Sequence, residues 1–160
     1  MDGPCRLRPA SLADLPVLVE LELRSFSDPW TAAQLREALR WTGAIALVAE
    51  GADGVVGGYL LGRVVVDEAE ILSIATDPRL RRTGLGRRLL REAMAIMLER
   101  GAHAAWLEVR VGNVAARAMY QCEGFVAAGL RKGYYRCPEE DAIVLRRDLT
   151  MPASPSTESS

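Results

Sequence analysis

The residues whose chemistry is easiest to interpret are the arginines and glycines of segment 77–91, DPRLRRTGLGRRLLR. Six arginines lie between positions 79 and 91, with no acidic residue among them. A helix that begins at Gly84 points its first backbone N–H groups and the positive end of its dipole at this segment, and glycine lets a ligand approach the main chain closely. The segment therefore predicts a binding site for a phosphate or pyrophosphate. A solvated helix start with a basic face is the alternative interpretation.

The segment does not match two common nucleotide-binding motifs. It lacks the GxxxxGK[ST] pattern of a P-loop, and Leu89 stands where the dinucleotide-binding fingerprint has glycine or alanine. A phosphate-containing ligand of another kind is therefore expected.

Glu108 is the candidate general base. In the segment AAWLEVR, the period-two alternation of a strand places Trp106, Glu108 and Arg110 on one face and the residues between them on the other. A carboxylate at such a position either performs chemistry, lies in solvent or forms a salt bridge with Arg110. The sequence alone leaves these three interpretations open.

Asn113 and Tyr120 belong to the next predicted helix. They are seven residues apart, which at 3.6 residues per turn places them on nearly the same helix face. Both can therefore face one site. Asn113 also has the residue type of an ordinary helix N-cap, and Tyr120 that of a core aromatic.

The composition of the chain excludes several classes of protein. It has 160 residues, 49% of them hydrophobic, with 20 basic and 21 acidic side chains and a formal charge of −1. This predicts one globular domain without the basic excess that direct nucleic-acid binding requires. No apolar run approaches the ~20 residues of a membrane-spanning helix, and no export signal is evident at the N-terminus. We expect a cytoplasmic protein that contacts neither membrane nor nucleic acid.

The cysteines and the single histidine predict no metal site. The three cysteines are widely separated, and His103 is the only histidine. Cys122, the cysteine nearest to Tyr120, has no evident partner base and is expected to be a packing residue rather than a nucleophile. We expect His103 to be structural or exposed.

Hydrophobic periodicity and turn residues predict a mixed α/β domain over residues 1–150 and a disordered tail over 151–160. Asn113 and Thr31 are expected to cap helices, and Gly43 and Gly101 to end them. The predicted strands are 5–9, 45–50, 55–67, 70–76, 104–110, 125–135 and 141–147, and the predicted helices end near Ser25, Trp41, Arg100 and Glu123.

The pattern Arg81-x-x-Gly84-x-Gly86, after ILSIATDP and before an amphipathic helix, resembles the acyl-CoA signature of the Gcn5-related N-acetyltransferase (GNAT) family. NVAARAMYQCEGF is similar to the family pattern N-x-x-A-x-x-x-Y-x-x-x-G-F, and only the tail lies outside the resemblance. The segments FSDPWT, WLEVRVGN, KGYY and EDAIVL look most like RimI-type members. Such enzymes acetylate the N-terminal alanine of a small-subunit ribosomal protein, the eighteenth.

This resemblance implies an α/β GNAT fold: a central mixed, mostly antiparallel sheet with a V-shaped splay between two parallel strands, flanked by about four helices. It implies acetyl-CoA as cosubstrate and no metal. The pantetheine arm would fill the gap between the strand ending near Thr76 and the strand around Glu108. The implied cofactor-binding residues are Ile74, Ala75, Thr76, Arg81, Arg82, Thr83, Gly84, Leu85, Gly86, Arg87 and Asn113.

The resemblance also implies direct attack of the acceptor amine, with Glu108 as general base and Tyr120 as general acid. An α-amine with a pKa of ~7.8 is roughly one-tenth neutral at pH 7, whereas a lysine at ~10.4 is neutral in less than about one part in a thousand. A protein N-terminus is therefore the easier acceptor. Trp30 and Tyr134 would contact the acceptor peptide, with aromatic packing as the alternative role for each.

Two other functions remain open from the sequence. One is a GNAT enzyme that acts on lysines or small amines, and the other is a catalytically silent acyl-CoA-binding module. The connection RCPEED is shorter than the corresponding loop of many RimI-like sequences, which affects the predicted shape of the acceptor pocket. A monomer or a weak dimer is expected.

Overall fold

Seven strands and four α-helices make up residues 5–150, the part of the chain that the computed structural model describes. The predicted tail, residues 151–160, lies outside it. The strands are β1 (Arg6–Pro9), β2 (Ala44–Glu50), β3 (Val56–Val65), β4 (Glu68–Thr76), β5 (Ala104–Arg110), β6 (Val126–Tyr135) and β7 (Glu140–Asp148). The helices are α1 (Leu15–Ser25), α2 (Ala32–Leu39), α3 (Leu85–Glu99) and α4 (Val114–Cys122).

The strands form one sheet in the order β1-β2-β3-β4-β5-β7-β6. All neighbouring strands are antiparallel except β4 and β5, which are parallel and are joined by a crossover through α3. The predicted fold class, a mixed and mostly antiparallel sheet with four helices, is therefore confirmed.

The two parallel strands diverge soon after they begin. Within the described part of the chain, β4 pairs with β5 only from Glu68 to Glu70, opposite Ala104 to Trp106. Beyond this point β4 stays paired with β3 as far as Thr76, and β5 stays paired with β7 as far as Arg110. Each strand consequently turns one backbone edge toward the widening gap. This gap is the splay that the sequence resemblance implies.

A β-bulge lies where the divergence begins. Leu61 of β3 pairs with Ser73 and the next residue, Gly62, pairs with Ile71, so Leu72 is an extra residue in β4. A bulge bends its strand and re-aims the side chains that follow. Before the bulge, Ile71 belongs to the core on the α3 side of the sheet, whereas after it Ala75 belongs to the core on the α1 side. Odd-numbered residues of β4 therefore point to the α3 side before the bulge and to the α1 side after it.

Two hydrophobic cores cover the two faces of the sheet. The core under α3 and α4 contains Leu89, Met97 and Tyr120, and the core under α1 and α2 contains Leu18 and Leu35. Each helix contributes one apolar stripe, as the periodicity of its sequence predicts. Among residues 5–150, no helix is long and apolar enough to cross a membrane.

The predicted helix boundaries agree with the structure except at the end of α2. The Thr31 hydroxyl accepts a hydrogen bond from the Gln34 N–H at 3.1 Å, as expected of an N-cap. The prediction that α2 reaches Trp41 is wrong, because the Arg40 N–H bonds to the Glu37 carbonyl in a tighter turn. Trp41 instead packs edge-on against Trp30 at 6.4 Å between ring centroids.

Candidate active site

A slot of about 210 Å³ occupies the gap between β4 and β5. The diverging edges of these strands form its two long sides, and α4 and the loop between α1 and α2 close it. Five of the predicted site residues line this one slot: Trp30, Ile74, Glu108, Asn113 and Tyr120. The fold therefore brings together side chains that the sequence places on separate elements.

The first turn of α3 lies at the end of the slot. Gly84 has φ +83° and forms the N-cap of α3, and open space lies where its side chain would be. The Arg88 N–H donates to the Gly84 carbonyl at 3.0 Å, so the N–H groups of Leu85, Gly86 and Arg87 precede the first intrahelical hydrogen bond. These are the groups that a helix N-terminus offers to an anion.

Gly86 connects this helix start to the slot. A side chain at Gly86 would lie 3.9 Å from the Thr76 side chain at the end of β4 and 3.6 Å from the Met119 sulfur. Met119 itself lines the slot. An elongated ligand could therefore occupy the slot and extend over the N-terminus of α3.

The turn before α3 presents two arginines. Arg81 and Arg82 are exposed, and within residues 5–150 neither forms an ion pair. Arg82 has φ +66°, a left-handed conformation that is uncommon outside glycine. The Thr83 N–H and hydroxyl both donate to the Leu80 carbonyl, at 3.3 and 2.6 Å, so Thr83 closes the turn that carries these arginines.

Other arginines of this segment already have acidic partners. Arg79 lies 3.0 Å from Asp77, and its hydrogen bonds lower the pKa of that carboxyl to about 2. Glu123 pairs with Arg91 at 2.7 Å and with Arg87 at 3.5 Å. These carboxylates reduce the local positive charge, because an ion-paired arginine is partly neutralised toward a further anion.

Glu108 occupies the predicted face of β5 with a side chain that is 25% exposed. Among residues 5–150, the salt bridge with Arg110, one of the alternatives for Glu108, is not present. Arg131 of β6 takes that place as an ion pair, with its Nε 3.0 Å from Glu108 Oε1. Arg110 pairs instead with Glu140 at 3.2 Å. A carboxylate has about four acceptor sites, so Glu108 keeps capacity for a further hydrogen bond.

Tyr134 and Tyr135 lie next to Glu108. The interaction of the Tyr134 hydroxyl with the Glu108 carboxylate, followed by partial burial, raises the pKa of Tyr134 to about 12. The two tyrosine rings pack edge-to-face with centroids 5.0 Å apart. The Arg110 guanidinium lies 4.4 Å from the centre of the Tyr135 ring. The end of β6 is thus fixed against the strand that carries the candidate base.

Tyr120 combines the two roles that its sequence position allowed. Its ring is 5% exposed and packs edge-on against Phe125, with centroids 5.7 Å apart, in the core under α3 and α4. The same side chain lines the slot. Burial, with a smaller contribution from Tyr135, raises the pKa of Tyr120 above its ordinary value. Tyr120 is therefore a proton-bearing hydrogen-bond donor throughout the physiological pH range.

Asn113 also has two roles. Its side-chain oxygen accepts a hydrogen bond from the Ala116 N–H at 3.2 Å, which caps α4. It lines the slot as well, so the capping function and a contact with a ligand are compatible.

A larger groove of about 1160 Å³ lies on the α1 side of the sheet and shares several lining residues with the slot. Trp30, Glu108 and Tyr135 line both cavities, whereas Arg131 and Tyr134 line only the groove. Trp30 also packs against the core under α1 and α2. The groove leads to Glu108 from the face of the sheet opposite the Tyr120 core.

Two parts of this site were not identified from the sequence. Arg131 reaches Glu108 through the pairing of β6 with β7 and of β7 with β5, a register that local patterns do not reveal. Glu22 did give a signal: it follows Leu15 and Leu18 at helical spacing on the buried face of α1, where a charged residue is unusual. Its carboxylate is 1% exposed and lines the slot.

The described residues contain no group of three or more His, Cys, Asp or Glu side chains arranged to hold a metal. Cys122 is exposed, and His103 is exposed with Nδ1 3.8 Å from Asp67. The polar side chains that line the slot include three carboxylates, two tyrosine hydroxyls, the Ser73 hydroxyl, the Asn113 amide and the Arg110 guanidinium.

Comparisons with known proteins agree with this geometry. The sequence profile of the Acetyltransferase (GNAT) family matches residues 15–125. The [ribosomal protein bS18]-alanine N-acetyltransferase of Salmonella typhimurium is 35% identical over 145 residues, which cover 88% of this chain and 95% of that protein. The putative enzyme of the same name from Bacillus subtilis is 37% identical over 146 residues, with coverage of 91% and 96%.

The solved structures give the same result. The crystal structure of the ribosomal-protein-S18-alanine N-acetyltransferase from Escherichia coli superposes with a TM-score of 0.85 and 30% sequence identity, covering 94% of this chain and 97% of that one. The chain therefore belongs to the GNAT family of acetyltransferases.

Proposed function

We propose that this chain transfers the acetyl group of acetyl-CoA to the N-terminal alanine amine of ribosomal protein bS18. One observation carries the catalytic part of this proposal: Glu108 and Tyr120 line the same slot but approach it from opposite faces of the sheet. An acceptor in the groove and a donor in the slot would then meet between a base and an acid. The printed names of the relatives supply the acceptor.

The residues of the slot fit acetyl-CoA. The open edge of β4 at Ile74, Ala75 and Thr76 offers backbone groups to the amides of a pantetheine chain, in the manner of an added strand. The amides at the start of α3 offer donors to the pyrophosphate, and Arg81 and Arg82 add positive charge. When bound, acetyl-CoA supplies an acetyl thioester.

Glu108 takes the proton from the acceptor amine. The α-amine must be neutral when it attacks the thioester carbonyl, since its lone pair forms the new C–N bond. Glu108 Oε1 is held by Arg131, and a second acceptor position on the carboxylate serves the amine directly or through a water molecule. This chain then needs no covalent acyl-enzyme, and the exposed Cys122 has no part in the reaction.

Tyr120 acts on the departing thiolate as the C–S bond breaks. A free thiol has a pKa of ~8.5 and an ordinary phenol ~10, so full proton transfer from tyrosine is unfavourable by about 2 kcal/mol before any shift. Burial raises the pKa of Tyr120 further. Its main contribution is therefore a hydrogen bond to the negative charge that develops on sulfur, and the proton passes to sulfur late or by exchange with solvent.

Trp30 and Tyr134 position the first residues of the acceptor. They lie on two different elements that line the groove, the α1–α2 loop and the end of β6, and Tyr134 interacts with Glu108. Aromatic side chains in such a groove provide apolar contact area at low conformational cost. They would hold the peptide backbone while its amine reaches the slot.

The proposed function is tested by acetyl-CoA turnover with a synthetic peptide that has the N-terminal sequence of bS18, beginning with alanine. The same peptide with a blocked α-amine and a blocked peptide that contains lysine are the controls, and mass spectrometry locates the acetyl group. We expect modification of the free α-amine alone. Modification of lysine alone, or turnover only with small amines, would contradict the assigned acceptor. Membership of the GNAT family would not be affected by either result.

Arg81 and Arg82 give a prediction about cofactor affinity. Replacing both with alanine is expected to raise the dissociation constant for CoA about 5- to 30-fold, since each exposed charge-assisted contact is worth ~0.5–1 kcal/mol. Isothermal titration calorimetry at low and high salt measures this, and the effect should shrink as salt screens the charges. Arg36→Ala/Arg40→Ala, a pair of the same charge change on α2, is the matched control. Equal affinities for both double variants would exclude a role for Arg81 and Arg82 in phosphate binding.

A further inference from the structure

Glu22 is a buried carboxylate that the acetyl-transfer mechanism above does not use. It lies on α1 and is 1% exposed. Three groups donate hydrogen bonds to it: the Trp30 backbone N–H to Oε1 at 2.8 Å, the Ser73 hydroxyl to Oε2 at 2.7 Å, and the Tyr59 hydroxyl to Oε2. Tyr59 and Ser73 are also within 3.0 Å of each other. We call Glu22, Tyr59 and Ser73 the carboxylate cluster.

This arrangement needs an explanation beyond packing. Burying a carboxylate is costly unless it is paired or fully hydrogen-bonded, and Glu22 forms no ion pair within residues 5–150. Burial raises its pKa, while the hydrogen bonds from Ser73 and Trp30 act in the opposite direction. Packing alone does not require a carboxylate at this helix position, because its neighbours Leu18 and Leu21 on the buried face are apolar. The hydrogen bonds themselves are therefore the feature that Glu22 provides.

The three donors belong to three different parts of the site. Trp30 is in the α1–α2 loop that forms a wall of the acceptor groove. Ser73 is in β4, next to the bulge at Leu72 and next to the edge that faces the slot. Tyr59 is in β3 and anchors the cluster in the sheet. The bulge is what turns Ser73 toward α1, because it exchanges the faces of β4.

We propose that Glu22 is a positioning residue: its carboxylate fastens the acceptor loop at Trp30 to the cofactor strand at Ser73. The peptide amine and the thioester are bound by different elements, and their relative position depends on this connection. A displacement of about 1 Å between reacting groups is enough to lower a rate substantially. The inference rests on the proposed function for its kinetic part, whereas its structural part can be tested without turnover.

The kinetic test uses Glu22→Ala and Glu22→Gln. We expect Glu22→Ala to lower kcat and to raise the KM for the bS18 peptide, together about tenfold or more in kcat/KM, with the KM for acetyl-CoA changed less than about threefold. Glutamine still accepts from the Trp30 N–H, and its amide donates to hydroxyls that can rotate to accept. Glu22→Gln should therefore restore most of the peptide affinity. Glu20→Ala, an exposed glutamate on the same helix, is the matched control.

The structural test is hydrogen exchange at the Trp30 amide, followed by NMR. We expect exchange about tenfold or more faster in Glu22→Ala, unchanged in Glu22→Gln, and no change at amides of α3 in either variant. If Glu22→Ala does not fold, Ser73→Ala removes one donor and should raise the peptide KM in the same direction. A chain that does not acetylate the peptide would refute the proposed function and leave this measurement intact.

Two results would overturn the positioning role. One is equal loss of activity in Glu22→Gln and Glu22→Ala, which would mean that the charge rather than the hydrogen bonds matters. The other is faster exchange at Trp30 and throughout α3 to the same extent, which would mean that Glu22 contributes only to global stability.

Discussion

Glu108→Gln is expected to lower kcat/KM for the bS18 peptide by about 10²- to 10⁴-fold, the usual contribution of a positioned general base. Glutamine keeps the size of the side chain and an oxygen that can accept from Arg131, but its amide cannot take a proton. Steady-state kinetics with the peptide and acetyl-CoA measure the loss. We expect it in kcat more than in the KM for either substrate.

The controls separate chemistry from folding and binding. The dissociation constant for CoA should stay within about threefold of the unaltered chain, and the free energy of unfolding within ~1 kcal/mol, because the pair with Arg131 is partly exposed. Glu92→Gln, an exposed glutamate on α3, should behave like the unaltered chain. Full activity in Glu108→Gln would exclude Glu108 as the base.

The pH dependence of Glu108→Gln distinguishes two ways in which the base can act. If Glu108 removes the proton from the ammonium form before attack, the deficit should narrow as the pH rises past the acceptor pKa of ~7.8, because solvent then supplies the neutral amine. If Glu108 takes the proton only as the C–N bond forms, the deficit should stay constant with pH. Rate profiles of both proteins between pH 6 and 9 decide between them.

Tyr120→Phe is expected to lower kcat by about 10²-fold, as when one donor to a developing negative charge is removed. The ring keeps its edge-on contact with Phe125 and its place in the core, so the variant should fold normally. The KM values for peptide and acetyl-CoA should change little. Unchanged kcat would show that the Tyr120 hydroxyl does not act on the leaving group.

The pKa of Tyr120 gives this prediction a second measurement. The protonated hydroxyl is the active form, and burial raises its pKa above the ordinary ~10. Activity that depends on Tyr120 is therefore retained below pH 10 and is lost only above it. We expect no decline of kcat with rising pH between 7 and 9.5. A decline in that interval that disappears in Tyr120→Phe would contradict the burial effect.

The elements of the fold could be predicted from local patterns because each has an unambiguous period. The alternation in β5 places Glu108 and Arg110 on the correct face, and the spacing of Asn113 and Tyr120 places both on the slot side of α4. The order of strands in the sheet is not a local property. The family resemblance implied only a mixed, mostly antiparallel sheet in which two parallel strands splay apart, and the structure confirmed that much while supplying the order itself.

The site residues that local sequence patterns did not identify depend on contacts between elements that are distant in the sequence. The partner of Glu108 depends on the register of three strands, so Arg131 could not be distinguished from the nearer Arg110 by spacing. The network around Glu22 joins residues that are 51 positions apart in the sequence. The predicted end of α2 is wrong for a different reason: the Arg40 N–H bonds to the Glu37 carbonyl, so the helix ends in a tighter turn before Trp41.

The extra residue at Leu72 has a consequence for how this chain tolerates insertions and deletions. Without Leu72, each side chain in the remainder of β4 would point to the opposite face of the sheet. Ser73 would then lie in the hydrophobic core under α3. Thr76 would turn away from Gly86 and toward the opposite layer. Deletion of this one residue would therefore leave the length of β4 almost unchanged, but the residues in the half of the strand beside the slot would exchange the two faces of the sheet. We therefore expect an insertion or deletion at Leu72 to be tolerated less well than one in a surface loop of this chain.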